Sequence, residues 1–418
     1  MNILIYGLNY TPEPTGIGKY TGEMGAWLVE RGHSVDAIVA PPYYPQWKVS
    51  PDYKGKGFVA ESLSGVRVYR APLFVPSATT ISARNRILHE TSFSATSLRY
   101  WLPRLLREQS YDVVIATCPP VQIGLYPWLY SRLRKVPFVF HVLDLQVDVA
   151  VRLGMLKANR AVRVLYEVEN FMLGAATRVS TITEAMRRRI VEKGISEERT
   201  WLFPNWADTD SVRPMQRDNE VRREFGVGPH EVLALYAGNM GEKQGLDLVL
   251  DAADQVRKRK EIQFIMVGAG AAQERLERAA RDRKLDNVRF FPVQPLERLP
   301  LMLAAGDIHL VVQRREAADL VMPSKLTNIL AAGRPSVATA DPDTALYQVL
   351  NEHSCGITTT PGDLGELVAG IVALAEDAKT RQQLGWNARQ YAEYYLDKDK
   401  ILLEFERKLQ ELVSAGVK

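Results

Sequence analysis

One short loop, Ala237 to Asp247 (AGNMGEKQGLD), combines a lysine with several glycines directly between a strand-like run and a helical pattern. Its small and amide residues are Gly238, Asn239, Gly241 and Gly245. Glycines expose backbone N–H groups and a helix amino terminus attracts anions, so the loop suits a diphosphate. An exposed helix end contributes only about 0.3–1 kcal/mol, and Lys243 therefore has to supply most of the positive charge.

A second lysine stands in Val321 to Pro335 (VMPSKLTNILAAGRP). Pro323 and Ser324 can begin a helix there, and the first amides of that helix are expected to face a ligand. Lys325 falls in the first turn, and Asn328 lies one turn later on a similar face. A simple buried helix explains the leucines and isoleucine of this segment but leaves Ser324 and Lys325 unexplained.

Two further loops join a strand to a helix and contain paired glycines. Tyr10 to Tyr20 (YTPEPTGIGKY) contains Gly16 and Gly18, which allow a close approach of the backbone to an anion or a sugar hydroxyl. A phosphate-binding Walker loop is excluded because Glu13 and Tyr20 stand where glycine and Ser or Thr are required. Gly268 and Gly270 (VGAGAAQERL) form the other loop, which is a poor dinucleotide signal because Gln273 replaces a small residue.

His141 and Asp144 (FHVLDLQVD) lie at the end of a predicted strand, where side chains of parallel sheets commonly meet a ligand. A lone histidine is more often structural than functional, but for His141 both interpretations stay open. The two cysteines, Cys118 and Cys355, match no metal-binding spacing and favour a reducing compartment.

The elements that must position these residues alternate between strands and helices in both halves of the chain. Such alternation predicts an α/β protein with two Rossmann-like, doubly wound parallel sheets, whose strand ends face each other across a cleft. We predict an N-terminal domain at 1–205, a polar hinge at 206–230 and a second domain at 231–390. The helical pattern at 391–418 is expected to brace the first domain.

The bulk composition agrees with a two-domain enzyme. The chain has 418 residues, 46% hydrophobic and 24% charged, with a net charge of +4. That mild excess of positive charge and the absence of any RNA- or DNA-binding motif in the sequence argue against nucleic acid as a partner. No basic leader and no long apolar run is visible, which predicts a cytoplasmic protein.

The loops described above, in their order and spacing, resemble those of retaining glycosyltransferases of family 4, which have the GT-B fold. The segments that carry the resemblance, over nearly the whole chain, are YTPEPTGIGKY, RGHSV, PNWADTD, YAGNMGEKQGLD, FIMVGAG and MPSKLTNILAAGRPSVA. Within that family the chain resembles bacterial colanic-acid biosynthesis enzymes assigned as fucosyltransferases. The resemblance implies a GDP- or UDP-sugar donor, carrying L-fucose or a related deoxysugar, with no further cofactor.

The resemblance also implies roles for the residues. The donor is expected to contact Gly238, Asn239, Gly241, Gly268, Gly270, Ser324 and Asn328, and the acceptor Glu13, Gly16 and Gly18. Lys243, Lys325, Asp144 and His141 are the catalytic candidates. The family usually has two glutamates with seven residues between them, but here Leu320 and Asn328 occupy those positions, so ribose contacts must differ.

The mechanism implied is transfer with retention of anomeric configuration and without a metal ion. Positive charge and fixed donors stabilise the departing diphosphate, and one well-placed donor is typically worth about 2.7–4 kcal/mol of barrier. Acceptors in such pathways are usually lipid-linked saccharides, which would bring the enzyme to the inner face of the cell membrane.

Two segments, 82–108 and 128–135, mix basic residues with aromatic and leucine side chains. The arginines of the first are Arg84, Arg86, Arg99, Arg104 and Arg107. This mixture favours peripheral contact with anionic lipid, and ordinary solvated surface helices are the alternative.

Other protein classes share the two-domain plan. A phosphorylase would carry a pyridoxal lysine, and an NAD-dependent oxidoreductase would need a dinucleotide-binding fingerprint, for which Gly268 and Gly270 are only a poor signal. A nucleotide-sugar epimerase and a non-catalytic nucleotide-sugar-binding relative stay open as alternatives.

Overall fold

The structure is a computed structural model, and it describes residues 1–13, 16–77, 82–106, 111–145, 160–315 and 324–416. The chain divides into two compact units. The first unit consists of Met1–Pro204 together with Leu402–Lys418, and the second unit is Asn205–Ile401.

The first unit is built on an eight-stranded sheet. Its strands are β1 (Asn2–Tyr6), β2 (Ser34–Val39), β3 (Val59–Leu63), β4 (Val66–Arg70), β5 (Val113–Cys118), β6 (Phe138–Val142), β7 (Arg178–Thr181) and β8 (Thr200–Leu202). They lie in the order β3-β4-β2-β1-β5-β6-β7-β8, and only β3 runs antiparallel to its neighbour. The central strands β5 and β6 are buried at every position, because helices cover both faces of such a sheet.

Within the described residues of this unit, five helices connect these strands. They are α1 (Gly16–Glu30), α2 (Ala83–Leu106), α3 (Leu125–Arg134), α4 (Arg160–Ala175) and α5 (Glu184–Glu192). Helix α1 buries Met24 and Leu28, the face that the sequence pattern predicts.

The second unit is built on a six-stranded parallel sheet. Its strands are β9 (Val232–Ala237), β10 (Ile262–Val267), β11 (Val288–Phe291), β12 (Ile308–Val311), β13 (Ser336–Thr339) and β14 (Gly356–Thr359). They lie in the order β11-β10-β9-β12-β13-β14. The strand order therefore reverses between β9 and β12, and ligands of open α/β sheets bind outside the carboxyl ends at such a point. Two parallel α/β sheets confirm the predicted fold class.

The remaining helices follow from residue 220 onward. They are α6 (Glu220–Glu224), α7 (Asp247–Gln255), α8 (Gln273–Asp282), α9 (Leu299–Ala305), α10 (Ser324–Ala331), α11 (Ala345–Glu352), α12 (Leu364–Glu376), α13 (Ala378–Tyr395) and α14 (Lys398–Ala415).

Residues 206–230, predicted to be a hinge from their polar composition, lie inside the second unit. Arg222 on α6 is fully buried and donates to the Asp307 carboxylate at 2.9 Å and to the carbonyl of Ala305 at 2.7 Å. Arg389 donates to the carbonyls of Thr209 and Val212 in the same segment. The buried Arg222 and the partly buried Arg389 hold this stretch in place by hydrogen bonds to backbone carbonyls, although it has little apolar periodicity.

The helical tail is two helices rather than one continuous helix. Leu396 ends α13, and the Asp397 carboxylate accepts a hydrogen bond from the backbone N–H of Lys400 at 2.9 Å. An aspartate at this position satisfies the free N–H groups of a new helix, so α14 begins there.

Most of α14 belongs to the first unit. Phe405 stacks on Phe203 with ring centroids 3.8 Å apart and an interplanar angle of 8°. Glu406, buried, accepts from His33 at 2.8 Å and from Arg31 at 3.2 Å. The end of the chain therefore completes the core of the unit in which the chain begins.

Among the described residues, no helix combines the length and the apolar composition that a membrane crossing requires.

We predict that Phe405→Ala lowers the free energy of unfolding by about 3–5 kcal/mol, because truncation of a buried phenylalanine leaves a cavity. Leu403→Ala is the matched control, since Leu403 is 50% exposed on the same helix. Its effect is expected within about 0.5 kcal/mol. Urea unfolding followed by circular dichroism measures both, and equal midpoints would contradict the structural role of Phe405.

Candidate functional site

Two strand-ending loops of the second unit lie directly against each other. The N–H of Met240 donates to the carbonyl of Ala269 at 2.8 Å, and the N–H of Ala272 donates to the carbonyl of Met240 at 2.9 Å. A Cβ added to Gly268 would lie 1.9 Å from the carbonyl oxygen of Gly238, with φ at +152°. Only glycine fits this approach, and the structure brings these predicted donor-binding loops together.

The loop after β12 joins the same group. The backbone N–H of Arg314 donates to the carbonyl of Lys243 at 3.0 Å, which connects the carboxyl ends of β9 and β12. The Lys243 side chain is exposed, and Arg314 has a half-exposed guanidinium 3.9 Å from the Glu242 carboxylate. Two cations therefore lie at the point where the strand order of this sheet reverses.

Lys325 enters from α10 and brings a third basic side chain. Its ammonium nitrogen is buried and lies 4.1 Å from the centroid of the Tyr236 ring. It is 3.3 Å from the position that a Cβ on Gly238 would occupy. No hydrogen-bond partner for this nitrogen lies among the residues that the structure describes. Burial lowers the pKa of Lys325 to about 7.

Tyr236 supports both the lysine and the loop. The ring is fully buried at the end of β9, and its hydroxyl donates to the carbonyl of Asn239 at 2.6 Å. Its ring face meets the Lys325 ammonium, an arrangement that stabilises a cation. Burial raises the pKa of the Tyr236 hydroxyl above its usual range, so it stays a donor.

The other predicted donor residues lie around this group. Asn239 is exposed, and a Cβ on Gly241 would lie 3.0 Å from its amide nitrogen. A Cβ on Gly270 would lie 2.7 Å from the Asn239 side-chain oxygen. Asn328 is partly exposed one turn after Lys325 on α10. The backbone of Ser324 begins α10, whereas its side chain and Leu320 lie outside the described residues.

Glu13, predicted to contact an acceptor, is 3% exposed and already bonded within the first unit. Its carboxylate accepts from the backbone N–H groups of Tyr43 and Tyr44, both at 3.0 Å, and from the Asn9 side chain at 2.9 Å. Burial raises the pKa of Glu13, while these hydrogen bonds oppose that shift. In the structure, the Glu13 carboxylate therefore holds its own loop against the loop that contains Tyr43 and Tyr44.

The glycines of the same loop surround Glu13 and Tyr44. A Cβ on Gly18 would lie 2.4 Å from the Glu13 carboxylate, so a larger residue there would displace it. A Cβ on Gly16 would lie 3.4 Å from the Tyr44 ring. Both glycines are at the amino end of α1, as the sequence pattern predicts.

His141 lies in the core of the first unit. Its Nδ1 is 3.0 Å from the Ser180 hydroxyl, and its ring centroid is 5.0 Å from that of Phe203. Burial lowers the pKa of His141 to about 4, so the ring is neutral near pH 7. Of the two interpretations that the sequence leaves open, this geometry favours the structural one. Asp144 follows β6 in a partly exposed loop.

Arg314 and Tyr236 are candidate site residues that the sequence analysis missed. The two adjacent arginines that follow the apolar run of β12 are a recognisable signal, because charged residues at a strand's carboxyl end often meet a ligand. Nothing in the sequence separates Tyr236 from an ordinary core tyrosine.

Comparison with known proteins matches each unit of the chain to a glycosyltransferase domain family. Residues 15–206 match the family "Glycosyl transferase 4-like domain", and residues 218–391 match "Glycosyl transferases group 1". The chain is 39% identical over 418 residues to WcaI of Escherichia coli (strain K12), which is named for colanic acid biosynthesis. The match covers 97% of this chain and 98% of WcaI.

Two solved structures show the same fold. The sucrose-phosphate synthase of Thermosynechococcus elongatus has a TM-score of 0.75 and 17% identity, covering 99% of this chain and all of that one. HepE of Anabaena, solved in complex with UDP, has a TM-score of 0.72 and 16% identity with the same coverage. The protein belongs to the family 4 glycosyltransferases of the GT-B fold, and it is a glycosyltransferase.

We predict that binding of a nucleoside diphosphate takes up a proton at about pH 8, because the neutral Lys325 must become charged beside the anion. The uptake should disappear below about pH 6, where Lys325 is protonated before binding. Calorimetry in two buffers of different ionisation enthalpy measures it. Lys325→Met should abolish the uptake, and an unchanged uptake in that variant would contradict the assignment.

Proposed function

We propose that this chain transfers a sugar from a nucleoside diphosphate donor, held by the second unit, to a lipid-linked saccharide in the synthesis of an exopolysaccharide of the colanic acid type. One observation carries the donor assignment: the buried ammonium of Lys325 has no partner among the described residues and lies beside Gly238, in the glycine loop after β9. A buried charge without a partner is costly, and a bound anion offsets that cost.

The chemistry follows from where charge develops. As the sugar leaves the donor, negative charge grows on the diphosphate, and donors fixed in advance stabilise it without reorganisation. Lys325 supplies a cation from a site of low dielectric, where each electrostatic interaction is stronger than in water. Lys243 and Arg314 supply exposed cations from the neighbouring loops. We propose that these side chains provide the charge without a metal ion and that the anomeric configuration is retained.

The choice of donor is supported by relatives and by chemistry. HepE was solved with UDP, and WcaI is named for colanic acid biosynthesis. Asn328 offers a neutral amide to ribose hydroxyls where the usual glutamate would offer a charge. We propose a deoxysugar such as L-fucose as the transferred group, on a GDP or UDP carrier.

We expect the purified protein to release nucleotide from one member of a panel of GDP- and UDP-sugars when membrane lipid extract is added, also in the presence of EDTA. Lys325→Met should lower kcat/KM by about 100-fold or more, because a lost fixed donor costs about 2.7–4 kcal/mol of barrier. Lys258→Met, an exposed lysine of the same unit, is the matched control.

Three results would overturn parts of the proposal. Binding without turnover would indicate a non-catalytic relative, and donor conversion without an acceptor would indicate an epimerase. Full activity of Lys325→Met would remove the lysine from the site. Product NMR reads the anomeric configuration directly.

A membrane surface for the acceptor is supported by three neighbouring helices of the first unit. Arg134 of α3 donates to the Leu105 carbonyl of α2 at 3.0 Å, and Trp128 of α3 meets Phe171 of α4 at 5.3 Å. Each helix leaves a row of large apolar side chains in solvent. These residues, the apolar face, are Ile87, Leu88, Leu98, Leu102, Leu106, Leu125, Leu129, Leu133, Val164, Leu165, Val168 and Phe171.

The spacing of these residues follows the helical period. Leu125, Leu129 and Leu133 lie four residues apart, so they form one row along α3, with the exposed Arg132 and Lys135 near its end. Exposed apolar surface shared by adjacent helices marks an interaction site, and nearby basic residues suit anionic headgroups. We propose that the apolar face rests on the membrane that carries the acceptor lipid.

We expect the protein to co-sediment with vesicles containing phosphatidylglycerol and to bind them at least tenfold less after Leu129→Glu with Leu133→Glu. Val293→Glu with Leu296→Glu is the control pair, since both residues are exposed in the second unit, at 66% and 59%. Equal binding by the two double variants would contradict this surface.

A further inference from the structure

A second loop of the first unit, residues 41–47 (PPYYPQW), follows β2 and is not part of any site predicted above. It lies beside the loop that precedes α1, because Glu13 of that loop bonds the backbone of Tyr43 and Tyr44. Both loops follow the carboxyl ends of adjacent parallel strands, β1 and β2, which is where open α/β sheets receive their ligands.

Two buried charges fix these loops to each other. Glu13 accepts from Tyr43 and Tyr44 on one loop and from Asn9 on the other. Arg70 is fully buried and donates to the carbonyl of Thr11 at 2.7 Å and to that of Ala40 at 2.9 Å, one on each side. A buried charge is retained when its hydrogen-bonding capacity is used, so this pair holds the loops in one arrangement.

The loop presents aromatic rings from this rigid base. Tyr43 is buried and packs edge-on against His89 of α2, with ring centroids 4.7 Å apart. Trp47 lies 5.4 Å from the same histidine and 5.7 Å from Tyr43, and is partly exposed. Tyr44 is 39% exposed. An aromatic ring held in place and left open to solvent is a ready contact surface, since its ordering entropy is already lost.

Resting on the proposed function, we propose that Tyr44 is the stacking platform for a pyranose ring of the acceptor saccharide, with Trp47 beside it. One face of a pyranose is a patch of C–H groups surrounded by hydroxyls. The electron-rich face of an aromatic ring attracts such C–H groups, and its flat surface buries them. Polar side chains at the edge of the platform, the partly exposed Asn9 and Thr11 among them, can bond the hydroxyls.

The chemistry around Tyr44 favours a sugar over a lipid. Gln46 and Lys48 are exposed next to it, and no row of aliphatic side chains accompanies the ring among the described residues of this loop. The apolar face on α2, α3 and α4, by contrast, consists mainly of exposed aliphatic side chains. The two surfaces therefore suit the two parts of one glycolipid, its saccharide and its membrane anchor.

The test uses the full chain with Tyr44→Ala, the conservative Tyr44→Phe, and Tyr394→Ala as the matched control. Tyr394 is 72% exposed in the second unit and packs on Tyr395. Acceptor KM is measured with membrane lipid extract, donor binding by thermal shift with GDP and UDP, and sugar contact by saturation-transfer NMR with methyl glycosides of glucose, galactose and fucose.

We expect Tyr44→Ala to raise acceptor KM by about tenfold, equivalent to about 1.4 kcal/mol, with nucleotide binding unchanged. Tyr44→Phe should stay near the wild type, because the ring supplies the contact. Saturation transfer to the sugar C–H protons should fall in Tyr44→Ala and persist in Tyr394→Ala.

Unchanged acceptor KM and unchanged saturation transfer in Tyr44→Ala would overturn the platform, as would the absence of saturation transfer to any glycoside in the wild type. Failure of the proposed function looks different, because the wild type would then bind or turn over no nucleotide sugar. Loss of saturation transfer in Tyr44→Ala would still support a sugar site in that case.

Discussion

The second unit is organised around one unpaired charge. The Lys325 ammonium is buried, its pKa is lowered by that burial, and the Tyr236 ring is the group that faces it most directly among the described residues. Removing a cation from water costs free energy that a ring face offsets only in part. Gly268 is required beside it because the carbonyl of Gly238 approaches more closely than a Cβ permits. In the proposed function, the anion of the donor is the partner that this charge lacks among the described residues.

The first unit handles its buried charges in the opposite way. Glu13 and Arg70 each form hydrogen bonds within the protein. Their burial therefore makes the two loops rigid and leaves neither charge in need of a ligand. The loops that they hold present aromatic and amide groups, which suit a neutral, hydroxyl-rich molecule. One unit is therefore prepared for charge and the other for an uncharged surface, which matches the two substrates of a glycosyl transfer.

The sequence predicts those parts of the fold that apolar periodicity encodes. The strands β1, β5, β6, β9 and β10 are buried runs and are recognisable. The strands β3, β8 and β14 give a weaker signal, because they are only five, three and four residues long and partly exposed, so their pairing depends on neighbours. The break at Asp397 was missed because one capping carboxylate ends a pattern that otherwise continues.

The site shows the same limit. Glycines and lysines at strand–helix junctions are visible from spacing, and the structure brings Gly238, Gly268 and Lys325 together. What spacing does not reveal is where a side chain finds its partners. Glu13 and the other polar residues of the candidate loops look alike in the sequence. Only burial and hydrogen bonds distinguish a carboxylate that holds a loop in place, such as Glu13, from one that faces solvent.

The stacked rings of Phe203 and Phe405 join residues about 200 positions apart, and most of helix α14 follows the second unit in the sequence. A ribosome makes the chain from its amino end, so the first unit emerges long before the helix that completes its core. The second unit has all of its residues available earlier. The core of the first unit is therefore completed only after the second unit has been synthesised, and until α14 is made Phe203 has no stacking partner from it.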